Sequence, residues 1–196
     1  MKKKIWDIYA PIYEKAMRAD YKYYKYMYDR IPTRIRDKEV LEIVTGPGLF
    51  AKHVAFAAKR MIATDYSEGM IREARKGICP ENLRFEIADA TQLPYADKSF
   101  DVVLIANALH VMPEPEKALG ESNRVLRKDG LLIAPNFVSH KSGLRSRLWS
   151  GILKLVGIKF EHQWCGEEYL GWLEDAICEE LSNEDRIDVC GMHSEV

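Results

Sequence analysis

The sequence has little of what commits a chain to a specialised class. Its 196 residues hold four cysteines, Cys79, Cys165, Cys178 and Cys190, with no CxxC pair and no Cys/His spacing that suits zinc. That argues against a disulfide framework or a zinc site, so the thiols read as reduced and no metal is expected. No apolar run approaches a membrane span, and the start, Met1–Ile5, carries three lysines without the apolar stretch of a signal peptide. These absences predict a cytoplasmic protein with no stable membrane insertion. Lys and Arg are not gathered into a recognised module, so no nucleic-acid partner is expected. Internal repeats and low-complexity tracts are also missing.

What is present is an ordinary globular composition, 47% hydrophobic and 30% charged. The length fits one domain, 1–196, able to bury roughly 70% of the surface of the unfolded chain. The formal net charge of −1 hides an asymmetry: residues 1–40 carry eleven Lys/Arg against six Asp/Glu, and residues 161–196 carry one against eleven. Two readings fit, a solvated surface of two signs, or a basic N-terminal face that attracts an anionic substrate or a membrane surface.

Residues 5–30 place Ile5, Tyr9, Ile12, Tyr13, Ala16 and Met17 at helical spacings, which predicts one or two helices before Pro32. Short apolar runs then alternate with helical patterns. Strands are expected at Val40–Val44, Met61–Thr64, Leu83–Ile87, Val102–Ala106 and Leu131–Ala134, and helices at Phe50–Ala58, Glu68–Lys76 and Pro115–Leu126. Alternation of this kind predicts an α/β fold, a Rossmann-like doubly wound sheet, mostly parallel, with helices on both faces. Its sites belong at the carboxyl ends of the strands, near the switch in strand order. Between Ser139 and Trp172, Leu144, Leu148, Trp149, Ile152, Leu153 and Val156 recur near helical spacing, which fits either a lid or one more helix packed on the sheet.

The strongest signal is Val40-Leu-Glu-Ile-Val-Thr-Gly-Pro-Gly48, a buried strand running into a glycine turn and then a helix. Glycines let backbone approach a ligand, and a helix start points free N–H groups at the turn. Glycine turns also follow strands for steric reasons alone. Asp65 ends the second strand, seventeen residues after Gly48, where a carboxylate can accept both hydroxyl protons of a ribose; its other reading is an N-cap. Asp89, with Ala90, follows the third strand and is placed to accept from an adenine amino group, or to make a cap or turn. The fourth strand ends in polar Asn107 and His110.

In this order the blocks Glu42–Gly48, Thr64-Asp-Tyr-Ser-Glu-Gly-Met-Ile71, Ala88-Asp-Ala-Thr-Gln-Leu-Pro94, Ser99-Phe-Asp-Val-Val103 and Glu121-Ser-Asn-Arg-Val-Leu-Arg-Lys-Asp-Gly130 resemble the class I methyltransferases of the small-molecule type. The resemblance covers about residues 38–138. It implies S-adenosyl-L-methionine as cofactor and a small-molecule or lipid-headgroup methyl acceptor. It also implies Glu42 near the methionine amino group, the loop Thr45, Gly46 and Gly48 close to the cofactor, Asp65 on the ribose, Tyr66 and Met70 flanking the adenine, and Asp89 and Ala90 at its edge; Asn107, at the end of the fourth strand, is a further candidate for cofactor binding. Trp6-Asp-Ile-Tyr9-Ala-Pro-Ile-Tyr13 looks like the helical cap of such enzymes. The chain so divides into a cap at 1–37, a core at 38–138, a lid at 139–172 and a tail at 173–196. Two positions depart from the family pattern: Val44 stands at the first loop glycine, and Lys128-Asp-Gly130 replaces a Pro-Gly-Gly turn.

Methyl transfer from a sulfonium is an in-line displacement, for which positioning contributes on the order of 7–11 kcal/mol. Where the acceptor carries a proton, His110 is the candidate base, and backbone-satisfied packing is its other reading. Tyr9 and Tyr13 are candidates for the acceptor pocket, or packing residues. Two alternatives stand beside this function. A non-catalytic S-adenosylmethionine-binding module would share the site. A nicotinamide-dependent oxidoreductase would share the glycine turn and acidic ribose ligand, with Ala51 at the third-glycine position.

At the C-terminus Leu170–Ala176 begins a helix, Cys178–Asp188 is acidic without strand alternation, and only Ile187–Met192 reads as a short strand. The C-terminal hairpin of a seven-stranded sheet is therefore expected to be incomplete, with an open edge that favours a homodimer. The ending Val189–Val196 looks like no methyltransferase tail, and a shifted reading frame near the 3′ end of the gene is the expectation it raises.

Overall fold

The computed structural model describes residues 5–11, 13, 21–136, 162 and 164–180. Helical backbone is described at 5–11, labelled α1, at 13, and in α2 (Tyr21–Arg34). There follow β1 (Glu39–Ile43), α3 (Leu49–Val54), β2 (Arg60–Asp65), α4 (Glu68–Ala74), β3 (Leu83–Ile87), β4 (Phe100–Leu104), α5 (Pro115–Val125), β5 (Leu126–Ile133) and α6 (Gly166–Glu180). The five strands are parallel in the order β3-β2-β1-β4-β5. The chain winds outward from β1 through β2 to β3, then returns to the far side of β1 for β4, so the switch point lies between β1 and β4.

Period-two alternation builds two apolar layers. Val40, Met61 and Val102 face one side, with Phe50, Val54 and Ile71 and with Met27, Ile31 and Ile35 from α2 and the residues after it. Their neighbours Leu41, Ile62 and Val103 face the other, against Leu119 of α5 and Tyr169 and Leu173 of α6. Strands covered on both faces read as continuous apolar runs, which is why β1 was legible as Val40–Val44. Tyr169 pins α6 to the sheet through its hydroxyl, which donates to the Ala134 carbonyl at 2.6 Å.

Several boundaries differ from expectation for identifiable reasons. The helix before β1 passes through Pro32 to Arg34, because burial of Ile31 and Ile35 on the core outweighs the hydrogen bond that proline forgoes. The third helix ends at Val54 and tightens into a 3₁₀ turn over Ala55–Ala57. Its successor stops at Ala74, where Gly77, at φ 72, turns the chain away. Strand β4 begins two residues early, yet Ile105 and Asn107 amides still bond Ile133 and Pro135 carbonyls at 2.9 and 2.8 Å. In β5, Leu126 pairs with Phe100 and Leu131 with Val102, so Arg127–Gly130 bulges between them, with Asp129 at φ 62. This is where Lys128-Asp-Gly130 replaces the usual glycine pair, and aspartate is among the few residues that tolerate that conformation. Helix α6 starts four residues before Leu170, its first turn closed by the Cys165 amide donating to Glu168 Oε2 at 2.8 Å. The readings for 139–161 and for the tail beyond 180, including the strand at Ile187–Met192, lie outside the described residues.

Gly48 is held at φ 73, and a Cβ there would lie 2.6 Å from two ring carbons of Phe85. Gly48→Ala is expected to destabilise the protein by about 1–2 kcal/mol from the left-handed backbone alone, with the ring overlap in addition. Denaturant midpoints of Gly48→Ala with and without Phe85→Leu check this: the second substitution should recover the overlap and leave the backbone cost.

Candidate functional site

The chain leaves β1 at the switch point through a turn that the backbone alone closes. The Thr45 amide donates to the Thr64 carbonyl at 2.8 Å, and the Gly48 amide to the Thr45 carbonyl at 3.1 Å. Val44, Gly46 and Gly48 all have positive φ, at 59°, 59° and 73°. For a β-branched residue such as Val44 that is an outlier, worth about 1–3 kcal/mol of strain. Val44 therefore takes the conformation a glycine would, and it borders the cleft. Gly48 turns away to pack under Phe85 and is not part of the lining, so its glycine serves the fold rather than ligand approach.

Above this turn opens a cleft of about 280 Å³. One wall is Glu42, Thr45 and Gly46. Glu42, only 1% exposed, accepts the Thr45 hydroxyl on Oε2 at 2.8 Å, and its other oxygen makes no hydrogen bond among the described residues. A second wall is Asp65, Tyr66 and Met70 from β2 and α4. Asp65 accepts the Gly46 amide on Oδ2 at 2.9 Å and the Ser67 amide on Oδ1 at 2.8 Å. The N-cap of α4 is Ser67, whose hydroxyl accepts the Met70 amide at 3.1 Å, so that reading of Asp65 is taken by its neighbour.

Asp89 and Ala90 form a third wall. Asp89 makes the turn that was its other reading, accepting the Thr91 amide and hydroxyl on Oδ1 at 2.9 and 2.7 Å, and it also borders the cleft. Asn107 closes the side nearest β4. It has φ 53, and both its side-chain nitrogen and oxygen are buried without a hydrogen-bond partner among the described residues. An unpaired buried polar group costs about 1–3 kcal/mol, so Asn107 is poorly chosen for stability and well placed for a ligand.

Trp6 and Tyr13 of the N-terminal segment line the cleft from above, edge to face at 5.7 Å. Tyr9 does not line it. Neither does His110, although the residues after it, Val111, Met112 and Pro113, do. His110 sits on a 3₁₀ turn with Nδ1 2.6 Å from Asn136 Oδ1, and its carbonyl accepts the His162 amide at 3.1 Å. Sequence reasoning missed Leu49, Phe50 and the Val111–Glu114 loop as lining. Their signal was position alone, since each follows the carboxyl end of a strand beside the switch point.

Burial dominates the electrostatics. It pushes Glu42 up to about 7, with the Asp65 charge adding to the rise, and Asp65 up to about 6 against the pull of its backbone donors. His110 is pushed down, chiefly by burial. A carboxylate pair held away from water favours a ligand that brings positive charge and hydroxyl donors. Among the described residues no group of His, Cys, Asp and Glu is arranged to hold a metal ion.

Residues 41–134 match the family described as "Methyltransferase domain". The demethylmenaquinone methyltransferase of Clavibacter sepedonicus is 34% identical over 123 residues, covering 62% of this chain and 50% of that protein. The ubiquinone/menaquinone biosynthesis C-methyltransferase of Rickettsia bellii is 33% identical over 118 residues, covering 55% and 48%. The chain thus spans about half the length of the curated relatives it matches. Among solved structures, a SAM-dependent methyltransferase from Thermotoga maritima superposes with a TM-score of 0.70 at 26% identity, covering 89% of this chain and 80% of that one.

The raised carboxyls make stability depend on pH with a definite sign. Between the ordinary carboxylate range and about 7 the folded state keeps protons that the unfolded chain has released, so the contribution of Glu42 is full below about 4.5 and is lost as pH rises through about 7. His110, shifted down, acts in the opposite sense, so the comparison must be with Glu42→Gln. Relative to that variant, the parent should lose up to about 3 kcal/mol between about pH 5 and pH 8. Denaturant titrations at several pH values check it, and a constant difference would contradict the raised carboxyl.

Proposed function

We propose that this chain, a member of the class I methyltransferases, binds S-adenosyl-L-methionine in the switch-point cleft and transfers its methyl group to a small acceptor. The observation that carries the reading is the pair of buried carboxylates, Glu42 and Asp65, converging on the cleft from the ends of β1 and β2 with acceptor capacity to spare. The cofactor supplies a methyl group on a positively charged sulfur. Glu42 meets its amino-acid ammonium, and Asp65 accepts from the ribose hydroxyls. Asn107, with an unpaired donor and an unpaired acceptor, serves the same ligand. Tyr66 and Met70 pack its base, and Asp89 and Ala90 meet the base edge.

The remaining lining, with Trp6, Tyr13, Phe50, Val111, Met112 and Pro113, suits a flat apolar ring. The named relatives act on quinone precursors, and a reduced demethylmenaquinone-type ring is the acceptor this reading favours. Its demands on the protein are orientation and exclusion of water. His110, one residue before the lining stretch that begins at Val111, is the candidate base, acting through a water rather than by direct contact. Asn136 Oδ1 lies 2.6 Å from Nδ1 and fixes the ring, and burial lowers its pKa, which keeps it neutral near pH 7. Tyr9 belongs to the same helix as Trp6 and is read as packing support for the roof. No described helix is long and apolar enough to cross a membrane; a cytoplasmic location, no nucleic-acid partner and a homodimer through the β5 edge complete the reading.

Calorimetry with S-adenosylhomocysteine and with NAD, followed by label transfer from S-adenosylmethionine to a reduced demethylmenaquinone, tests the function. Binding of the first, none of the second, and label in the ring are expected. Binding without transfer to any acceptor would favour the non-catalytic module, and NAD binding the oxidoreductase. Asp65→Ala should weaken S-adenosylhomocysteine binding by about 1.5–3 kcal/mol, and unchanged affinity in a folded variant would remove the ribose role. His110→Gln should lower turnover by roughly 10²-fold at unchanged cofactor affinity, whereas a drop in melting temperature alone would mark packing.

A further inference from the structure

Asp7 ties the N-terminal helix to the core. Its Oδ1 accepts the Ser67 hydroxyl at 2.6 Å and the Gly69 amide at 2.8 Å, both at the start of α4. Ser67 Oγ in turn accepts the Met70 amide at 3.1 Å, so the carboxylate is linked to the same turn that brings Tyr66 and Met70 to the cleft. The contact is close enough to dictate a residue type. A Cβ on Gly69 would lie 2.6 Å from Asp7 Cα and 2.9 Å from its carbonyl oxygen, backbone that no side-chain rotation can move aside. No left-handed conformation calls for glycine at this position; Asp7 does.

The residue before Asp7 is Trp6, which roofs the cleft edge-on to Tyr13, and Tyr13 in turn lies over Gly46, where a Cβ would stand 3.8 Å from its ring. Trp6 and Asp7 are consecutive residues of one helix and move together. Asp7 also lies near enough to Asp65 for the two charges to repel, so the closed arrangement is held against an opposing force.

We propose that Asp7 is a latch, a positioning residue that holds α1 shut across the cleft, so that entry and release of the cofactor require its contact with Ser67 and Gly69 to break and re-form. This rests on the reading of the cleft as an S-adenosyl site. Breaking the latch lowers the barrier to release without replacing any residue that binds the ligand. A merely structural role would lower melting temperature and leave the release rate alone.

The test is stopped-flow release of S-adenosylhomocysteine from the full chain, with melting temperature measured in parallel. Asp7→Ala removes the acceptor and Gly69→Ala forces the two backbones apart, so two unrelated changes break one contact. Each should speed release by about tenfold or more, the scale of a lost charge-assisted hydrogen bond. The double variant should release no faster than the faster single one, because the same contact is already gone. Release within about twofold of the parent in either single variant, or multiplying effects in the double one, overturns the latch. Failure of the parent to bind S-adenosylhomocysteine overturns the reading of the cleft and the latch with it, whereas binding with unaltered release overturns the latch alone.

Discussion

Two backbone amides, Gly46 at 2.9 Å and Ser67 at 2.8 Å, converge on the carboxylate of Asp65, and the walls of the cleft are placed by that convergence. One amide belongs to the turn leaving β1 and the other to the start of α4. The carboxylate therefore joins the turn leaving β1 to the turn leaving β2, its neighbour in the sheet. Thr45 reinforces the joint, bonding Thr64 through its amide and Glu42 through its hydroxyl. Charge-assisted bonds of this kind are roughly twice as strong as neutral ones, which suits a residue asked to fix a loop while burial works against its charge.

The site also carries costs that a purely structural region would shed. Val44 holds a left-handed conformation that suits glycine, and Asn107 combines such a conformation with a side-chain amide that finds no partner among the described residues. Asn136 spends its oxygen on His110 and leaves its nitrogen buried without a partner. Features of this sort persist where surrounding structure over-determines them, and they gather here at the carboxyl ends of β1, β4 and β5. The rest of the sheet, where Leu41, Val103 and Ile43 are fully buried and apolar, supplies the rigidity that holds them.

Much of this was legible because the period-two and helical patterns were strong where both faces of the sheet are covered. β3 runs over Leu83–Ile87 as read, and Asp65, Tyr66, Met70, Asp89, Ala90 and Asn107 reach one cleft, as their positions after successive strands implied. What stayed hidden depends on contacts between distant residues. Gly48 read as a ligand-approach glycine, but its constraint comes from Phe85, thirty-seven residues on. Asp7 read as one letter of a cap motif, and nothing near it announces Ser67 or Gly69. The depth of His110 behind the lining is set by Asn136 and His162, which no local spacing reveals. Strand ends moved by two residues at β4 because apolar Ile105 and Ala106 continue an extended path beyond the last paired residue.

The packing of Phe85 on Gly48 has a consequence for the order in which the molecule is assembled. Synthesis proceeds from the N-terminus, and a nascent chain that has emerged only as far as β2 already contains the glycine turn and both acidic residues. It lacks the ring that the turn closes against. It also lacks β4, whose Asp101 accepts the amide of Glu39 at 2.8 Å, sixty-two residues earlier in the chain. Contacts of such separation form late, since the loop entropy must be spent before they reward it. The glycine turn, encoded early, is therefore among the last parts of the sheet to take its final shape, and the cleft above it exists only in a chain that has already completed its far strands.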